Sequence, residues 1–426
     1  MAQFNATVYQ NEFLMDGSTD VNAIVSITCH DAGKAGQTGA GDAGELIIVD
    51  TSASMGRINM DAAKQAAMVA VDTILDGTYF AVIAGNHHAY LAYPRVNHGP
   101  GMVRMDATTR QAAKQAIASF RADGGTAMGS WLLLAKALFH SIPALVGKHA
   151  ILLTDGENHN ESTEQLAAAL RSCQGQFQVD CRGIGVDWQV PQLRQIATMM
   201  MGSVDLIPSP RDLPRVFHDL ISSSMGRGVP QADLRLWMPQ GAQLLFIRQV
   251  SPTVEDLTHR AQTIGELTQL FSTGSWGDET RDYHIAIRLP ARSVGTEQLA
   301  ARLQLCVGPT VLAQGLIKAK WSTDSRLTTV INPEVAHYTG QTELATAIQD
   351  GLAARSAGDW GTATTKLGRA VALANASGNH EVADRLSKVV DVADAATGRV
   401  VLKPNVDKAD EMALDTASTR TTRIRG

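Results

Sequence analysis

Three segments of this chain present oxygen-bearing side chains, two of them at the ends of apolar runs and one at a glycine-rich loop-to-helix junction. In "GELIIVDTSASMGR" (44–57) a strand-like run stops at Asp50, with Ser52 and Ser54 following at alternate positions. In "GGTAMG" Thr126 follows two glycines, and "ILLTDGENH" closes a strongly hydrophobic run on Asp155. Carboxylates and hydroxyls are hard donors, suited to Mg²⁺ or Mn²⁺, or to Ca²⁺, rather than to a soft metal. Two carboxylates nearly balance a divalent charge, and neutral Ser and Thr ligands keep the ion electrophilic toward one more anion. The chemistry on offer is a divalent ion with room for one more anionic ligand. Taken singly, each of these residues reads as a helix N-cap; the three segments together read as a metal site.

Such a site needs elements that bring three separated loops to one place. From residue 44 to about 225 apolar strands alternate with amphipathic helices, which predicts a mostly parallel, doubly wound α/β sheet covered on both faces. Strands are expected at 46–50, 78–85, 88–94, 149–155, 177–186 and 203–208, and helices at 59–75, 106–120, 162–173 and 210–225. In this architecture ligands bind beyond the carboxyl ends of the strands, where Asp50 and Asp155 fall. Gly124, Gly125 and Gly129 suit a loop that approaches an ion closely or changes shape on binding.

With those residues in that order, segment 44–225 resembles the von Willebrand factor A domain and its metal-ion-dependent adhesion site, whose pattern is DxSxS, then Thr, then Asp. The resemblance implies that Ser52, Ser54 and Thr126 contact the metal directly, and that Asp50 and Asp155 act directly or through water. It also implies one open metal position, filled by a partner's carboxylate.

Around this segment the texture changes. Residues 1–40 and 228–335 show short alternating runs with Gly, Pro and Asp between them, the spacing of an antiparallel β-sandwich, which leaves open whether the α/β unit is inserted into it or precedes it in line. Residues 340–396 predict a helical bundle. From 400 to 426 a Thr/Arg-rich segment reads as a flexible tail. There Thr416, Ser418, Thr419, Thr421 and Thr422 lie among arginines, a setting for a Ser/Thr kinase. The spacing from Thr421 to Ile424 resembles the phosphothreonine pattern read by forkhead-associated domains, and the whole layout resembles bacterial, especially actinobacterial, adhesion-domain proteins that work beside such kinases and readers.

A formal net charge of -5 offers no footprint for nucleic acid, and no run is long and apolar enough to suggest a membrane span. Without a leader-like N-terminus, the reading is cytoplasmic. Four cysteines without CxxC spacing indicate neither zinc nor a disulfide framework. The pairs His87 and His88, and "NHNE" at 158–161, lack zincin spacing and read as polar loops, while Trp188 is placed on the rim of the site. A metal-dependent phosphohydrolase is the first rival, but it wants an acid two residues after its nucleophilic Asp, where Ser52 stands. There is no Walker loop and no nucleophile elbow. A structural module with a vestigial site is the second rival. The expectation is a non-enzymatic, metal-dependent interaction scaffold.

Overall fold

A computed structural model describes residues 2–36, 41–95 and 101–423. The chain divides into two compact units, one comprising mainly residues 31–231 and the other 3–30, 232–273 and 279–426.

The first unit is built on a seven-stranded sheet. Its order runs Val204–Ile207, Gln178–Ile184, Leu145–Thr154, Asp42–Asp50, Tyr79–Gly85 and Ala89–Tyr93, with Val103–Arg104 also pairing Tyr79–Gly85. The first five strands are parallel and the last two pair antiparallel. Leu46 to Val49 in the central strand are fully buried, which requires helices on both faces of the sheet. One is Gly56–Thr73, whose inward positions Met60, Ala63, Ala67, Ala70 and Val71 recur at helical spacing. Its small side chains let it pack closely on Leu213–Met225 in a shared core with Leu213, Phe217 and Ile221. Val49 stands opposite Leu153, and Asp50 opposite Gly85. That parallel register brings the carboxyl ends of three strands to one edge.

Two helices escape the sequence reading, Met128–His140 and Val190–Met199. Neither has a side-chain N-cap to announce it. Trp188 is a correction of another kind: it is 1% exposed, with its indole N–H donating to Gly185 O, so it supports the loop from inside instead of shaping a rim.

The second unit is a β-sandwich with helices. One sheet runs Gln3–Gln10, Asp20–His30, Thr280–Arg288, Gln243–Ser251, Glu255–Asp256. The other runs Gln262–Gly265, Thr268–Ser272, Asp233–Trp237, Glu297–Val307, Thr310–Ser322, Phe13–Met15. The first thirty residues therefore pair with strands more than 200 positions later, and the α/β unit is an insertion between them. A Cβ on Gly315 would lie 2.8 Å from Val8 and 3.1 Å from Val25, so the two sheets meet there with no room for a side chain. Helix Pro333–Ser356 covers the outer face of the first sheet through Tyr338 and Val335 against Ile24 and Val250. Trp360–Ser377 and His380–Val389 complete a helical core with Leu344, Ile348, Leu367 and Leu386.

Here the expected helical bundle needs correction, because the chain leaves helix at Val390 and forms a hairpin, Val390–Asp394 with Arg399–Leu402. Adjacent β-branched valines favour that change. The flexible tail does not form either. Helix Lys408–Ala417 starts at Asp407, whose carboxylate accepts from Ala409 N–H, and it buries Met412 and Leu414. Residues 419–421 then run beside 252–254, with Val254 N–H donating to Thr419 O and Thr421 N–H to Pro252 O. Arg423 grips Asp282 through Nε at 2.9 Å and Nη2 at 3.1 Å. Thr416 and Ser418 are each 3% exposed, Thr421 donates its hydroxyl to Val250 O, and Thr422 accepts from Gln341. Thr419 is half-buried, and Ile424 lies outside the described residues. An accessible cluster of phosphorylatable hydroxyls is thus overturned at Thr416 and Ser418.

All four cysteines are buried free thiols, and burial pushes Cys173 up to about 11. Among the described residues no helix is long and apolar enough to cross a membrane.

Candidate metal centre

Asp50 is the last residue of the central strand and is wholly buried. Its Oδ1 accepts the Ser52 backbone N–H at 2.7 Å, and its Oδ2 accepts the Thr154 hydroxyl at 2.5 Å. These bonds fix the carboxylate and turn the chain, so that Ser52 and Ser54 follow on one short loop. Their hydroxyls lie 2.9 Å apart, and Ser54 Oγ donates to Asp155 Oδ1 at 2.8 Å. The other Asp155 oxygen accepts from Asn59 Nδ2 at 2.9 Å. A Cβ built on Gly156 would sit 2.9 Å from Ser54 Oγ and 3.6 Å from Thr126 Oγ1, so the third loop reaches the same spot. All five predicted residues are gathered at one edge of the sheet.

The loops are tied to one another by backbone bonds. Thr51 N–H donates to Gly85 O, Ala53 N–H to Gly124 O, Asp123 N–H to Thr51 O, and Ala127 N–H to Asn86 O. Gly124 has φ +75°, a left-handed conformation that favours glycine, and His87 lies beside it where a Cβ would collide. Gly85 is likewise obligatory, because Trp131 packs on its face and donates its indole N–H to Asn86 O at 2.8 Å.

The sequence reading set "NHNE" aside as polar loop, and the structure gives it a definite task. Asn160 Oδ1 accepts Thr126 N–H at 2.9 Å, and Asn160 N–H donates back to Thr126 O. Asn158 Oδ1 accepts Met128 N–H, and Glu161 Oε1 accepts both Gly129 N–H and Asn158 Nδ2. Helix Met128–His140 lacks a local cap, and these side chains satisfy its free N–H groups from another loop. Four consecutive polar residues shortly after Asp155 were the available signal; their partners, some 30 positions upstream, were not.

Burial pushes the Asp50 carboxyl up to about 6, against the hydrogen bonds from Ser52 and Thr154, with the Asp155 charge adding to the rise. Asp155 is raised as well, mainly by burial, with Asn59 and Ser54 opposing and Asp187 adding. Among the described residues neither carboxylate has an ion-pair partner. Two carboxylates at close quarters, three hydroxyls and no cation form a donor set that fits a hard divalent ion, whose charge would relieve both strains.

The positions 45–205 match the family model for the von Willebrand factor type A domain, and 372–418 match that for the von Willebrand factor type A C-terminal domain. A solved structure described as von Willebrand factor type A from Catenulispora acidiphila is 44% identical, with 99% of this chain and 97% of that one covered, at a TM-score of 0.93. The ArnB paralog VWA2 from Sulfolobus acidocaldarius shares the fold at 15% identity, with 98% of each chain covered and a TM-score of 0.55. An uncharacterized protein of Synechocystis sp. is 29% identical over 51% of this chain; this chain spans about half of that relative's length. On the family match, the near-complete likeness at 44% identity and the fold itself, this chain belongs to the von Willebrand factor type A family.

Proposed function

We propose that this protein is a divalent-metal-dependent, non-enzymatic interaction scaffold that captures an acidic side chain of a protein partner. Proteins of this family generally mediate protein interactions. The observation that carries the finer reading is the meeting of Asp50, Asp155 and the hydroxyls of Ser52, Ser54 and Thr126 on three interlocked loops, where no Lys, Arg or His among the described residues pairs with either carboxylate. These five residues would hold Mg²⁺, or Mn²⁺ or Ca²⁺, which share their preference for oxygen. When bound, the ion supplies Lewis acidity toward one external carboxylate oxygen.

The chain's own residues do the rest. Thr154 and Ser52 N–H aim Asp50; Asn59 holds one oxygen of Asp155; Asn160 fixes the backbone that carries Thr126. The site has no second acid at the position of Ser52, which speaks against phosphoryl chemistry. Regulation through the C-terminal threonines forms no part of the proposal, because Thr416 is buried and Thr421 and Thr422 are bonded within their own unit.

The test is affinity capture with wild-type protein and the Thr126→Ala variant, each in Mn²⁺ and in excess EDTA. A partner retained only by wild-type protein and only in Mn²⁺, and released by free glutamate-rich peptide, supports the reading. Partners retained equally in EDTA and by the variant contradict it.

A further inference from the structure

The two sheets of the sandwich are treated unequally. Helix Pro333–Ser356 covers the outer face of one through Tyr338 and Val335. On the other sheet, the outward positions of the central strands carry a row of unlike side chains. Trp237 pairs with Thr268 on one side and with Arg302 on the other, and Arg302 pairs with Leu316. One step along, Arg235 lies between Leu270 and Gln304, which faces Gln314.

Arg235, Trp237, Ile264, Thr268, Arg302 and Gln304 line a concavity of about 390 Å³. Trp237 is its half-buried apolar wall, with the Arg302 guanidinium 5.6 Å from its ring centroid. Ile264, 54% exposed, is the second apolar wall. Arg235 spends Nε on Gln304 Oε1 at 3.0 Å, and Gln304 Nε2 donates to Gln314. Among the described residues neither Arg235 nor Arg302 has a carboxylate partner. Lys318 and Lys320 extend the cationic row along the neighbouring strand; among the described residues of these strands, the acids on this face are Glu297, 4.0 Å from Lys320, and Asp233 at the end of its strand.

From this geometry we propose a second binding site, independent of the metal centre, for an acidic extended segment of a partner protein. Charge complementarity selects the occupant. Two guanidinium forks beside an indole recognise planar carboxylates with an apolar neighbour, a geometry in which Lys would not substitute. Cationic and apolar side chains at alternate strand positions match an extended peptide whose own side chains alternate at the same spacing. A nucleic acid is the poorer fit, because the chain's net charge of -5 repels a long polyanion.

The test follows the indole resonances of the full-length ¹⁵N-labelled protein, with Trp237 assigned through Trp237→Phe. The probes are acetyl-Glu-Val-Glu-Val-Glu-amide and its all-Gln counterpart, with and without EDTA. The expected result is a saturable shift of the Trp237 signal by the Glu peptide below about 1 mM, unchanged by EDTA and weakened by added salt. Arg302→Gln and Arg235→Gln, each checked for an unchanged melting temperature, should weaken it at least about tenfold. EDTA-insensitivity separates this site from the metal centre, so either proposal can fail alone. Equal binding of the Gln peptide, binding that survives both Arg variants, or no Trp237 shift at 1 mM probe overturns the proposal. So does a Trp237 shift that grows with protein concentration alone, which would mean that a second copy occupies the face.

Discussion

Ser54 Oγ donates to Asp155 Oδ1 at 2.8 Å across a sequence separation of 101 residues. That single bond joins the loop after the central strand to the loop after its neighbour, and it marks where an ion held by both would sit. Its existence depends on the parallel register that aligns Val49 with Leu153.

Support from the adjacent loop should be measurable apart from the ligands. Asn160→Ala removes the acceptor of Thr126 N–H without touching any of the five donors. Mg²⁺ affinity is expected to fall by about 10- to 100-fold, the usual weight of residues that orient ligands. Titration calorimetry would read it, and an unchanged affinity would mean that Thr126 is held by other bonds or is not a ligand.

Glu161→Ala should act on stability. It strips the acceptor from Gly129 N–H and Asn158 Nδ2 at a helix start with no local cap. A loss of about 1–3 kcal/mol is expected for orphaned polar groups in a partly buried setting. Urea unfolding followed by circular dichroism measures it, with Glu161→Gln restoring part of the loss.

A pH dependence arises far from the candidate metal centre. His149 is buried between Glu45, 2.6 Å from Nδ1, and Asp180, 3.0 Å from Nε2. Burial opposes its charge, but the two carboxylates win and push the imidazole up to about 9, from an ordinary value of 6.5. The folded-state value is raised, so this stabilisation is fully present below about 6.5 and is lost as pH rises through about 9. Asp180 moves the other way: burial would raise it, yet its bonds to His149 hold it below the carboxylate range, so its share is lost in acid. Unfolding midpoints of wild-type protein should therefore decline between pH 7 and 9.5 more steeply than those of His149→Gln. Parallel declines would contradict the charged imidazole.

The end of the chain offers a test of its own order. Arg423 pairs with Asp282, which is 2% exposed and also accepts from Tyr338 at 2.5 Å. Arg423→Ala should lower the melting temperature by several degrees, because the buried Asp282 carboxylate loses its cation. A melting curve identical to wild type would return this segment to the status of a loose tail.

The candidate ligand set was legible in the sequence because Asp50 and Asp155 fall at the ends of apolar strands and Thr126 at a glycine-rich junction before a helix, where both pattern and chemistry are local. The strands of the first unit were readable for the same reason. What could not be read depends on distant partners. Helix Met128–His140 is capped by Asn158 and Glu161 from another loop, and Arg423 finds Asp282 across 141 positions. Helix Lys408–Ala417 did leave a local signal, Asp407 followed by Asp410 and Glu411 in the first turn, which the Thr/Arg-rich ending outweighed.

The central claim is that Asp50 and its four companions bind a divalent ion. Calorimetric titration of Mg²⁺, and separately Mn²⁺, into metal-stripped wild-type protein and Asp50→Ala tests it most directly, with circular dichroism confirming that both are folded. Saturable binding to one site, abolished in the variant, is the expected result. Indistinguishable isotherms for the two proteins would contradict the claim.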